Sequence, residues 1–147
     1  MSGMTAPADA SDQGPRTFSS AVSICFSKYA TFSGRAPRSE FWYFALFSLI
    51  VGIAAVIGDI AISISAQTPV RIVDPIVDLV LLLPTLSVQV RRLHDLDRTG
   101  WCWWFGLLPV IGWIVILVWD CTRGTAGSNR FGPDPLAGQL LPGFAVT

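Results

Sequence analysis

The sequence predicts an all-α integral membrane bundle of three transmembrane helices, preceded by an amphipathic helix at the membrane interface. Three observations carry this. Of 147 residues, 52% are hydrophobic and only 14% charged, against about 25% charged in soluble domains, and mean hydropathy is +0.55. Three apolar segments approach the length of a membrane span and are separated by short polar connections. Aromatic residues gather at segment ends: Phe41 to Phe44 where the first begins, and Trp101, Trp103 and Trp104 opposite Trp119 on the last. Amphipathic rings favour that headgroup level. The length is one domain's worth.

Residues 1–16 read as a disordered polar tail. They lack the apolar core of a secretory signal, so insertion is expected to start at the first true span. Over 17–30, Phe18, Val22, Cys25, Phe26 and Tyr29 recur at i, i+4, i+7, i+8 and i+11. That is one face of a helix lying at the interface or against the bundle, and the same face would suit a partner protein. Gly34 and Pro37 then punctuate the chain. Ser39 is a candidate N-cap, and Glu40 suits the positive end of a helix dipole.

The first span is expected over about 40–64. Ala45, Ser48, Gly52, Ala55 and Asp59 line one of its faces. Small residues let helices approach closely in lipid, so Asp59 should point into the bundle near the far interface. After a polar turn from Gln67 to Arg71, Asp74 reads as an N-cap, with Pro75 at the first helical position and Asp78 in the first turn. The second span covers about 75–92, with Pro84 as a kink. The third covers about 100–119 and contains Gly106, Pro109 and Gly112. A Gly- and Pro-rich surface loop over 121–135 closes the membrane domain (17–135), leaving 136–147 as a C-terminal tail.

Charge sets the threading. Arg16, Lys28, Arg35 and Arg38 share one side with Arg91, Arg92 and Arg98 if the spans are continuous, and Arg71, Arg123 and Arg130 lie opposite. The positive-inside rule then puts the N-terminus in the cytoplasm and the C-terminus outside. In the competing reading, residues 101–119, broken by Pro109 and Gly112, dip in and return, which leaves the tail inside.

Several function classes drop out. Lys plus Arg and Asp plus Glu are ten each, and no basic run could track a phosphate backbone, so no nucleic-acid partner is expected. Cys25, Cys102 and Cys121 stand far apart with no histidine at ligand spacing. They read as small apolar fillers rather than a zinc site, and no metal or cofactor is expected. No lysine follows Gly124 and Gly127, which argues against a phosphate loop.

The ionisable residues concentrate between Arg91 and Arg98. Arg91 and Arg92 end one helix and Asp95 and Asp97 precede the next, so dipole complementarity and snorkelling explain them without a ligand. The functional alternative groups Arg91, Arg92, His94, Asp95 and Arg98 as a candidate binding site. It would hold a membrane lipid headgroup, or the acidic group of a membrane-protein partner. A hydrolase built on His94 lacks a nucleophile, so a non-enzymatic role is expected. Asp59 is the candidate intramembrane acid; a transporter or channel using it would need a homo-oligomer, because three spans leave little room for a pore.

Three motifs carry a resemblance. They are Phe32-Ser-Gly-Arg-Ala-Pro-Arg-Ser-Glu-Phe-Trp-Tyr-Phe44, Arg91-Arg-Leu-His-Asp95 followed by Gly100-Trp101, and Gly124, Gly127 and Asn129-Arg-Phe-Gly-Pro-Asp-Pro135. In this order, over roughly residues 20–135, the chain resembles the family known as domain of unknown function 805, YhaH-like inner-membrane proteins of bacteria. Cys102 departs from it where a second Trp is usual, and the long polar N-terminus and the residues after the last Pro are extra. The resemblance implies a bacterial inner-membrane location and a helical architecture, and it supplies no activity. It marks Gly34, Arg35, Arg38, Glu40, Trp42, Gly100, Trp101, Asn129, Arg130, Phe131, Gly132, Pro133, Asp134 and Pro135 as motif residues with a shared structural or binding role.

Overall fold

Two long helices lie against each other, and the other elements gather on them toward one end. The computed structural model describes residues 17–137; the tail expected over 1–16 and most of the one over 136–147 lie outside the described residues. Among those residues the protein is all-helical, with α1 (Phe18–Ser27), α2 (Arg38–Ala66), α3 (Val73–Asp95), a 3-10 helix (Gly100–Leu107) and α4 (Ile111–Cys121).

At 29 and 23 residues, α2 and α3 are long and apolar enough to cross a membrane. They extend about 43 and 34 Å, against a hydrocarbon core of about 30 Å. Many of their apolar side chains lie outside any protein interior: Ile57, Ile64 and Leu79 are 60%, 72% and 70% exposed. A soluble protein does not present so much contiguous apolar surface to water, so lipid is the solvent for these faces. The protein is a membrane protein.

The packed core is small and sits where α1 crosses the pair. Cys25, Phe44, Leu81 and Val88 are buried there, and the Phe26 ring meets Phe44 and Phe47 edge-on at 6.0 and 5.8 Å. Thr17 and Ser20 form a reciprocal capping box that starts α1. Just past its end, the Tyr29 hydroxyl donates to the Val80 carbonyl at 2.5 Å. That carbonyl is the one Pro84, four residues on, cannot bond, because proline has no amide hydrogen. A proline inside a long apolar helix is thus compensated from a neighbouring segment.

Both expected N-caps differ from the structure. Pro37 occupies the cap position of α2, and Ser39 lies inside the first turn; the fixed φ of proline suits the entry to a helix and makes the next residue its start. For α3 the cap position is Ile72, with Asp74 and Pro75 already helical. The cap comes instead from α2: the Asp59 carboxylate accepts from the amides of Ile72, Val73 and Asp74 at 3.1, 2.9 and 3.0 Å. A helix start leaves its first amides without intrahelical partners, and here one carboxylate takes three of them. Asp74 is left to pair with Arg71 at 3.5 Å on the surface.

The expected continuous third span over 100–119 is also corrected. The 3-10 helix and α4 are joined by a tight turn in which the Ile111 amide bonds the Pro109 carbonyl at 2.8 Å, with Val110 at φ +66°. The two pieces then fold back on each other. Trp113 Nε1 donates to the Gly106 carbonyl at 2.8 Å, and the Phe105 and Trp119 rings lie 5.7 Å apart. Gly112 permits this, since a Cβ there would stand 1.7 Å from the Phe105 carbonyl oxygen. Trp101 and Trp119 consequently do not mark opposite ends of one span.

Asp59→Ala should lower the thermal unfolding midpoint in detergent, and Asp59→Asn, which keeps one acceptor oxygen, should fall between it and the wild type. Tyr29→Phe should lose about 1 kcal/mol, the worth of one hydrogen bond, in the same melts.

Candidate functional site

Where α2 starts and α3 ends, the structure buries charge. An unpaired charge in such a place is very unfavourable, so each must find a partner. Glu40, in the first turn of α2, meets Arg91 of α3 at 2.5 Å. Next to Arg91, Arg92 pairs with Asp95 at 2.7 Å, and the other oxygen of Asp95 accepts from Arg35 at 2.9 Å. Arg35 precedes α2, so one carboxylate ties the loop before α2 to the end of α3.

The same arginines hold the chain that follows α4. Arg92 donates to the carbonyls of Trp119 and Asp120 at 3.1 and 3.2 Å and to that of Thr122, taking the last carbonyls of α4 where a cation is favoured. Gln89 donates to the Asp120 carboxylate at 2.9 Å. Arg35 donates to the carbonyls of Thr125 and Gly127 at 2.5 and 2.6 Å. Arg38 does the same for Cys121 at 3.1 Å. The end of α4 therefore returns to the place where the 3-10 helix set out.

The C-terminal motif folds over this cluster. The Asn129 side chain donates to the His94 carbonyl at 2.9 Å, and the Thr125 amide donates to the Asp95 carbonyl at 2.9 Å. Gly124 must lack a side chain, since a Cβ would stand 2.0 Å from Asp95 Oδ2. Asn129 and Gly132 bridge each other, with Gly132 at φ +139°. Between the two prolines Pro133 and Pro135, Asp134 accepts from the Gly127 amide at 3.1 Å. Phe131 lies flat on the His94 ring, centroids 3.9 Å apart and planes 3° from parallel, and His94 Nδ1 donates to the Gly34 carbonyl at 3.2 Å.

The five charged candidates thus divide. Arg91, Arg92 and Asp95 are almost wholly buried and face protein partners. Arg98 points outward, its guanidinium 4.2 Å above the Trp119 ring. His94 stands between, on the wall of an open apolar cavity of about 680 Å³ that Phe131, Gly100, Trp101, Trp103 and Trp104 also line. Arg130 pairs with Asp97 at 3.1 Å in the open, and Trp42 is exposed beside Phe41. Asp59 is at the opposite end of α2, far from this group.

Sequence reasoning passed over Gln89, Asp120 and Thr125. An acid closing the apolar run 111–119 was the available signal for Asp120. Of the three cysteines, only Cys25 fills a core; Cys121 is exposed. Burial, reinforced by the neighbouring Glu40 carboxylate, pushes the Cys25 thiol up to about 12. Cys25 should therefore resist maleimide at pH 8 while Cys121 reacts. Among the described residues, no group of His, Cys, Asp or Glu could hold a metal ion.

Asp95→Ala would leave two buried guanidiniums without their carboxylate and should destabilise by about 3–5 kcal/mol. Asp97→Ala, which breaks the exposed pair with Arg130, should change stability by less than about 1 kcal/mol. Thermal melts of the two purified variants read the contrast.

The chain is 46% identical over 112 residues to inner membrane protein YhaI of Escherichia coli (strain K12), covering 76% of this chain and 91% of the relative. It is 41% identical over 107 residues to inner membrane protein YhaH of the same organism, covering 73% and 88%. No solved structure matches. Residues 29–133 match the family model described as protein of unknown function (DUF805), and that span encloses the buried ion pairs and nearly all of the motif loop packed on them: the chain belongs to the DUF805 family.

Proposed function

We propose that this is a non-enzymatic protein of the bacterial inner membrane that crosses the bilayer twice, dips its third apolar segment in as a hairpin, and binds a membrane amphiphile in the cavity beside His94. The observation that carries the binding role is the division among the charged candidates. Arg91 and Arg92 have no exposed surface, so a headgroup could reach them only by opening the core. His94 and Arg98 remain for a ligand, with tryptophans around them at the level where lipid headgroups meet acyl chains. Asp59 accepts three amides at the start of α3, a structural task that favours the binding reading over a transporter built on this carboxylate.

The threading rests on length and charge. At 11 residues, α4 extends about 16 Å, half of a hydrocarbon core, and its last turn is bound to Arg92 beside the beginning of α2. Lys28, Arg35, Arg38, Arg91, Arg92, Arg98, Arg123 and Arg130 gather toward that end, and Arg71 stands at the other. The positive-inside rule puts the charged end in the cytoplasm, and with it both ends of the described chain. The names of the relatives support the inner membrane as the location.

Two measurements test this. A C-terminal green fluorescent protein fusion should fluoresce while the matching alkaline phosphatase fusion stays inactive; the reverse would restore a continuous third span. Native mass spectrometry of protein extracted in mild detergent should show a retained amphiphile that is lost in Trp101→Ala and kept in Asp97→Ala. Retention unchanged in Trp101→Ala would count against the cavity.

A further inference from the structure

We infer that the cavity beside His94 takes a ring-bearing amphiphile whose head donates a hydrogen bond, of the hydroquinone class. This rests on the amphiphile reading above and names the ligand chemistry of the same site.

The polarity of the site comes from one atom. The Gly34 carbonyl can only accept, so the Nδ1 it faces carries the hydrogen, and Nε2 of the neutral ring presents a lone pair. Nε2 looks toward Gly100, 3.8 Å from where a Cβ would stand, and Gly100 is part of the cavity wall. No described residue donates to it. A ligand that satisfies this atom must bring an O–H or N–H.

Charge and shape narrow the class. The side chains that line the cavity, Phe32, Leu86, Val90 and the tryptophans among them, bring no cation; Arg91 and Arg92 are buried, while the exposed Arg98 and Arg130, outside that lining, lie over Trp119 and Phe131. A phosphate seated against this apolar lining beside Nε2 would meet no counter-ion there, so the group that meets Nε2 is neutral. The walls are flat: His94 and Phe131 form one stacked pair, and Trp101 and Trp104 form another, with planes 19° apart. Aromatic faces favour an offset ring over a branched chain. A volume of about 680 Å³ admits one ring and the start of a tail. The rest of the tail would leave past Trp101, which is 77% exposed, into lipid.

A hydroquinone meets each demand, with one hydroxyl donating to Nε2, the ring between aromatic walls and the tail in the bilayer. The matching quinone, or the dimethyl ether of the hydroquinone, turns only oxygen lone pairs toward Nε2. The inference concerns binding alone, and no electron transfer is part of it.

The test is a thermal-shift titration of the full chain in detergent micelles, under reductant, with a decyl-substituted benzohydroquinone and its dimethyl ether at matched mole fraction in the micelle. The hydroquinone should half-saturate at roughly tenfold lower concentration than the ether, which is about 1.4 kcal/mol. In His94→Phe the two should bind alike, with the ligand-free midpoint reporting whether that variant is folded. Trp101→Leu, at a largely exposed position that leaves the core intact, should weaken both ligands together. Equal affinity of hydroquinone and ether in the wild type, or a preference that survives His94→Phe, overturns the inference. Should native mass spectrometry show a phospholipid held in a Trp101-dependent manner and displaced by neither ring compound, the ring class fails while the amphiphile reading stands. If nothing binds and Trp101→Leu changes nothing, both fall.

Discussion

The architecture depends on the Asp95 carboxylate held between Arg35 and Arg92. In lipid, apolar helix faces gain little by preferring one another over acyl chains, so hydrophobic burial alone does not specify how α2, α3 and the hairpin meet. A buried carboxylate between two guanidiniums does specify it, because any other arrangement strands a charge. Buried ion pairs are weak net stabilisers compared with good apolar packing, and fixing a particular arrangement is their better-attested role. Here the triad fixes the loop before α2, the end of α3 and, through Arg92, the end of α4. Glu40 with Arg91 repeats the device one step along the helix.

That cluster also explains which sequence readings held. α2 and α3 were legible because length and hydropathy are local properties, and the resemblance to domain of unknown function 805 was legible because its motifs are. The cap of α3 was not: Asp74-Pro75 has the local signature of a helix start, yet the carboxylate that serves the first amides is Asp59, fifteen residues earlier in the chain. The hairpin was only half legible. Residues 100–119 have the composition of a span, and Pro109 and Gly112 are compatible with either a kinked helix or a fold-back. What decides between them is the grip of Gln89 and Arg92 on the end of α4, which no local pattern displays.

For the candidate site, the sequence grouped Arg91, Arg92, His94, Asp95 and Arg98 and left their directions open. Arg91 and Arg92 look like an exposed basic pair at a helix end, where arginines commonly snorkel to the interface. Asp95 shares their motif, but Glu40 stands in another, so the pairing of Arg91 with Glu40 appears only once α2 and α3 are side by side. His94 sits among charges in sequence but among rings in space, because the motif after α4 brings Phe131 onto it.

The cap that Asp59 supplies bears on how the chain enters the membrane. A carboxylate near the end of α2 is a poor passenger in hydrocarbon by itself, and the first turn of α3, with its amides bare, is no better. Each removes the other's difficulty once the two helices lie together. The two helices are therefore better suited to enter lipid together, with the turn between them already closed, than one at a time.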